Sequence, residues 1–211
     1  MAACFAGAKL AVSLHHQAEG RSAVDEPVLG FLLCEDRGLE TSSPSVASAA
    51  GGGDRGYFGC YMVTNDRGYP LEFRATTPVH PNAIQRVIYG DKLEGFISQE
   101  LVAGVLLKES EFKPGAVVVM SAALLGAQGS LPFPVVRLSP VAAGVVVGAQ
   151  SAGAGLVETP HGELRYEVAG DRERDALQAI EGAAAQFDLM AVFDRMRAAL
   201  DVLQREDERF R

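Results

Sequence analysis

The sequence predicts an α/β (or α+β) fold: a mixed sheet with an antiparallel hairpin, helices packed on it, and a C-terminal helical appendage. Three observations carry this. Segments 57–64 and 70–76 flank a turn at Asn65-Asp66-Arg67-Gly68, the pattern of a β-hairpin. The run AVVVM at 116–120 is wholly apolar, as in a strand covered on both faces. Leu189, Phe193, Met196, Leu200 and Leu203 recur at spacings of 4, 3, 4 and 3, which aligns them on one seam of a terminal helix.

The elements follow in order. Residues 9–15 read as a strand within an N-terminal arm (1–26). PVLGFLLC at 27–34 reads as a buried strand that opens the α/β domain (27–168) and stops at the turn-like Glu35-Asp36-Arg37-Gly38. The stretch 41–56 is small, polar and Gly-rich, too poor in apolar side chains to offset its ordering entropy, and reads as a disordered loop. In 70–76, alternation places Leu71, Phe73 and Ala75 on one face and Glu72, Arg74 and Thr76 on the other.

Pro78 and Pro81 end that strand, and Asn82 suits a helix N-cap. A helix follows over 83–110, broken at Gly90-Asp91, with Leu93, Ile97, Leu101 and Val105 stacked at intervals of four and Phe96 and Val102 widening the stripe. A strand at 116–120 leads into a short helix at 121–127, and another strand covers 134–138. Residues 144–148 read as a strand; 156–159 and 163–168 form a second hairpin around Pro160-His161-Gly162. Helices at 171–184 and 188–208 make up the C-terminal part (169–211).

Composition narrows the function. The chain has 211 residues, 27 acidic and 19 basic, for a net charge of −8. That balance opposes non-specific nucleic-acid binding, which needs cations to neutralise phosphates. Cys4, Cys34 and Cys60 are three widely spaced thiols with no Cys-x-x-Cys pair, so they read as reduced cysteines of a cytoplasmic protein. No stretch of 18 apolar residues occurs, and a membrane span is not expected. Ala and Gly, 31 and 23 residues, make about a quarter of the chain, yet 57–112 holds only three Ala and eight of the 15 aromatics. This segment should be the dense part of the core. The bias to 15 Arg over 4 Lys, with abundant Ala, Gly and Val, fits a GC-rich bacterial coding sequence.

The β-β-β-α-β-α-β order over about 27–138 resembles that of ribonuclease-H-like nucleases. The resemblance implies carboxylates on the first strand, the first helix and the end of the fourth strand, holding two metal ions. Glu35 or Asp36 would be the first and Glu94 or Glu100 the second, with Asp36 and Glu100 the pair to test. Ser121 stands at the third position, and no carboxylate lies between Glu111 and Glu158. Ser121 itself lacks the Gly-x-Ser-x-Gly frame of a nucleophile elbow and reads as an N-cap. His15, His16, His80 and His161 read as surface and turn residues, and the glycine runs fit no phosphate-binding frame. No cofactor is expected.

With no catalytic set complete, the expected function is that of a non-enzymatic accessory or assembly protein that binds another protein or a second copy of itself. The terminal seam (Leu189, Phe193, Met196, Leu200, Leu203) and the Tyr57, Tyr61, Arg67 and Arg74 side chains of the hairpin are the expected contacts, Tyr and Arg being enriched at interfaces. Removal of 186–211 is then expected to abolish association and leave the α/β domain folded. A small-ligand or nucleotide sensor is a further class, recognisable by ligand-dependent thermal stabilisation.

Overall fold

The computed structural model describes residues 10–15, 29–38, 55–127, 131, 133–141, 153–169 and 172–210. The loop expected at 41–56 falls outside these residues up to position 54, and the strand expected at 144–148 falls outside them altogether. The described strands form one eight-stranded mixed sheet in the order β1-β4-β3-β2-β5-β6-β8-β7. The strands are β1 Leu10–His15, β2 Leu29–Gly38, β3 Arg55–Thr64, β4 Pro70–Thr76, β5 Ala116–Val119, β6 Val135–Pro140, β7 Ala154–Thr159 and β8 Gly162–Val168. Strands β2, β3 and β4 form an antiparallel meander, with β1 antiparallel on its outer side. Strands β2, β5 and β6 are parallel, and β8 returns antiparallel to β6 and β7. The α/β class is as the sequence predicts.

Strand β2 is longer than its apolar run. It continues through Glu35, Asp36 and Arg37 because β3 pairs with it residue for residue from Leu29↔Thr64 to Gly38↔Arg55. The turn expected at 35–38 is therefore strand, and its alternation sends Glu35 and Asp36 to opposite faces.

Each face of the sheet is covered. On one, Leu29, Phe31, Leu33, Phe58, Met62 and Val118 pack against helices α5 (Glu173–Ala184) and α6 (Leu189–Glu206). Phe31 meets Phe193 edge to face, with ring centroids 5.5 Å apart. On the other face, Leu32, Tyr57, Tyr61, Val63, Val117 and Val119 pack under the 83–108 helical segment and α4 (Ala122–Leu125). The terminal helices are thus an integral layer of the domain, which revises their expected status as an appendage. Leu71 joins this second cluster instead of sharing a face with Phe73 and Ala75, because the β3–β4 register shifts between Val63 and Thr64.

The helical segment departs from a regular helix. It comprises α1 (Ala83–Tyr89), a 3₁₀ turn (Gly90–Lys92), α2 (Leu93–Phe96), a π-helical stretch (Ile97–Ala103) and α3 (Gly104–Lys108). The break expected at Gly90-Asp91 is there, but the stripe changes phase. Leu93, Ile97, Val102 and Leu106 are buried, whereas Leu101 and Val105 are half-buried. A π turn takes five residues where an α turn takes about four, so it rotates the later residues by one position. Val102 consequently lands on Gly59 of β3, where an added Cβ would lie 2.2 Å from Val102 Cγ1.

Two predictions follow from this packing. Leu189, Phe193, Met196 and Leu200 are at most 2% exposed, and losing even one such side chain costs about 2–5 kcal/mol. A chain lacking 186–211 is therefore expected to lose cooperative unfolding altogether; a sigmoidal urea transition in the truncated chain would contradict the two-face architecture. Gly59→Ala is expected to cost about 1–3 kcal/mol by overpacking. Val102→Ala in the same chain should recover part of it, a coupling that a double-mutant cycle reads directly.

Candidate functional site

The structure first decides where the expected contact residues go. Leu189, Phe193, Met196 and Leu200 are buried within the chain against the sheet, with Leu203 half-buried beside them. None of the first four is available to a partner helix. Tyr61 is wholly buried and Tyr57 is 8% exposed, both under the helical segment. Arg74 is buried in an ion pair with Glu72, whose other carboxylate oxygen accepts from Ser110 Oγ at 2.6 Å. Residue type and strand alternation could not show that the face carrying these groups is covered. Arg67 alone of the hairpin set is exposed. It lies on the β3–β4 turn and lines a 630 Å³ groove with Asp66, Asp175, Gln178 and Gln186.

The carboxylates of the ribonuclease-H-like reading do not converge. Glu35 is held on the α6 side, accepting from Arg197 Nε at 2.8 Å and from Arg37 Nη2 at 3.0 Å, while Arg37 Nη1 donates to Asp201 at 2.6 Å. Asp36 is exposed on the opposite face, where Tyr57 is its partner across the β2–β3 ladder. Glu94 on α2 accepts a 3.5 Å hydrogen bond from Ser121 Oγ, and Glu100 is exposed on the π-helical stretch. Ser121 caps α4, its Oγ accepting from the Ala123 N–H at 3.1 Å. Among the described residues, no three His, Cys, Asp or Glu side chains group as metal ligands. These residues do not fit a two-metal site.

Cys34 is half-buried on the same side of β2 as Asp36. Burial pushes its thiol up to about 12, against a lowering hydrogen bond from Ser98, and Glu94, Glu35 and Asp36 add to the rise. Burial likewise raises Cys60 and Tyr61, and it raises Tyr57 with help from Asp36.

Among the described residues, the sheet and its two layers leave one face of α1 uncovered. Pro78 and Pro81 end the preceding strand, and Asn82 opens the helix with a capping box. Asn82 Oδ1 accepts from the Gln85 N–H, and Gln85 Oε1 accepts from the Asn82 N–H, both at 2.9 Å. Gly90, at φ +49°, ends the helix in a conformation that disfavours any side chain. The capping box turns Gln85 inward, where it is 3% exposed, and Tyr89 packs on Phe96 with centroids 5.0 Å apart. The remaining apolar residues must then face outward. Ile84, Val87 and Ile88 are 68%, 82% and 68% exposed, three of the five large apolar side chains that stand open among the described residues. Their i, i+3, i+4 spacing makes them one stripe. Full burial of each is worth about 1.5–3 kcal/mol, so the contiguous exposed stripe is the candidate contact surface of the described residues.

Sequence reasoning missed this stripe because it assumed the apolar face of a helix points to the core. Asn82-x-x-Gln85 carries the capping box, but the burial of Gln85 that leaves the aliphatics outside is set by packing and not by that motif.

No protein-family model, curated protein or solved structure matches the chain. The ribonuclease-H-like resemblance therefore stays one of element order. No helix among the described residues is long and apolar enough to cross a membrane.

The raised Cys34 thiol gives a direct check. At pH 8.5 its thiolate fraction is expected to be about three orders of magnitude below that of a free cysteine. Peptide-resolved alkylation of the native chain should leave Cys34 unmodified until urea unfolds it. Fast native labelling of Cys34 would mean that the site is open.

Proposed function

We propose that this chain is a non-enzymatic protein-binding module, an accessory or assembly protein whose contact surface is the outward face of α1. The observation that carries this reading is the exposure of Ile84, Val87 and Ile88. It keeps the class of function expected from the sequence and moves the contact away from the terminal seam and from Tyr57, Tyr61 and Arg74, which are buried within the chain.

The neighbouring features support the same reading. The carboxylates of the nuclease alternative lie apart, on opposite faces of β2, on α2 and on the π-helical stretch. The stripe sits on a helix fixed at both ends by its capping box and by Gly90, so it presents a preformed surface. An intracellular, reducing setting belongs to this reading, since Cys34 and Cys60 are unpaired thiols on adjacent strands.

The test is affinity purification of the tagged full chain from its source cells, wild type against Val87→Glu. Residue 87 is exposed, so the substitution should change stability by no more than about 0.5 kcal/mol. Proteins recovered with the wild type should fall at least about tenfold with the variant, while Glu181→Lys on the exposed face of α5 should leave recovery unchanged. Equal recovery with wild type and Val87→Glu would refute the assignment of α1.

A further inference from the structure

We infer that Met120 is a modification site: hydrogen peroxide converts its thioether to a sulfoxide, and Arg197 holds the oxygen that is added.

The site lies where β5 ends, on the α6 side of the sheet. Met120 follows Val119, the last residue of β5, and packs against the buried cluster under α5 and α6. Two guanidinium groups reach it. Arg137 Nε on β6 donates to its carbonyl oxygen at 3.1 Å, and Arg197 Nη2 on α6 donates to its sulfur at 3.2 Å. The guanidinium of Arg197 is fixed elsewhere, through Nε to Glu35 at 2.8 Å and through Nη1 to Asp194 at 3.2 Å. Those two contacts aim Nη2 at Met120.

The pairing of donor and acceptor is uneven. A thioether sulfur is a weak acceptor, yet it faces a charged donor. A sulfoxide oxygen in the same place would accept a charge-assisted hydrogen bond from Nη2. In the step, a sulfur lone pair attacks one peroxide oxygen, and the S–O bond forms as the O–O bond breaks. The departing hydroxide takes the proton of the transferred oxygen and leaves as water. Sulfur is oxidised by two electrons and the peroxide is reduced.

Burial decides which sulfurs peroxide can reach. Met62 and Met196 are 6% and 0% exposed, whereas Met120 is half-buried beside the partly open side chains of Arg197 and Glu35. Oxidation of a packed methionine ordinarily disrupts its surroundings. At Met120 the new oxygen meets a donor already in position, so the fold should accept it.

The experiment is mild peroxide treatment of the folded full chain, read by peptide-resolved mass spectrometry and by the thermal midpoint. Met120→Leu, treated in parallel, subtracts the effect of oxidation elsewhere. Met120 should gain one oxygen in the folded chain, and Met62 and Met196 only in urea. Oxidation of Met120 should move the wild-type midpoint by less than about 2 °C and lower that of Arg197→Leu by at least about 4 °C. Glu35 keeps its pair with Arg37 in that variant. Arg197→Lys repeats the comparison should Arg197→Leu fail to fold, since one ammonium nitrogen cannot reproduce the guanidinium fork. A Met120 that stays unmodified in the folded chain would overturn the inference. So would an equal fall in midpoint on oxidation with and without Arg197. Neither result bears on the reading of α1, which involves none of these residues.

Discussion

Strand β2 must be buried on both faces at once, and the rest of the structure follows from that constraint. Leu29, Phe31 and Leu33 enter one layer and Leu32 the other, all four at most 3% exposed. A strand so covered needs a helical layer above and below the sheet. The 83–108 segment and α4 supply one, α5 and α6 the other. The seam of α6 is therefore committed to Phe31 and its neighbours before any partner arrives. Even the charged end of β2 is tied to that layer, through Glu35 to Arg197 and Arg37 to Asp201, across more than 160 residues of sequence.

The parts of the fold legible in the sequence are those fixed by neighbours along the chain. The β3–β4 and β7–β8 hairpins, the Ser121 cap, the helix break at Gly90 and the spacing of the α6 seam all follow from residues within a few positions of each other. The π-helical stretch is not of this kind. Leu101 and Val102 are adjacent and both apolar, as are Val105 and Leu106, so two different phases satisfy the pattern equally. What decides between them is Gly59, some 40 residues earlier, which alone leaves room for Val102. The continuation of β2 through Glu35–Gly38 was hidden for the same reason. Its four residues look like a turn until β3 pairs with them and α6 pairs with the charges of Glu35 and Arg37.

The candidate site shows the limit of residue type as a guide to role. Tyr57, Tyr61 and Arg74 are interface residues by composition, and they are core residues here because the face they share lies under a helical layer. Arg74 can be buried only because Glu72 pairs with it and Ser110 with Glu72; a lone buried cation would cost several kcal/mol. Conversely, Ile84, Val87 and Ile88 are core residues by type and surface residues by position. The two reversals are linked. Each follows from which face of an element the sheet has already claimed.

That link also bears on why the chain leaves α1 as it is. Aliphatic side chains in water add nothing to the stability of the monomer, and polar residues at 84, 87 and 88 would serve a helix held by its capping box equally well. Elsewhere among the described residues Tyr69 and Val202 are the exposed large apolar groups, while Phe210 is wholly buried at the end of the last turn. The same chain exposes three aliphatics on one seven-residue helix. What sets α1 apart is that three aliphatics stand exposed together on one face of a helix whose Gln85 is buried, and the proposed contact surface rests on that grouping.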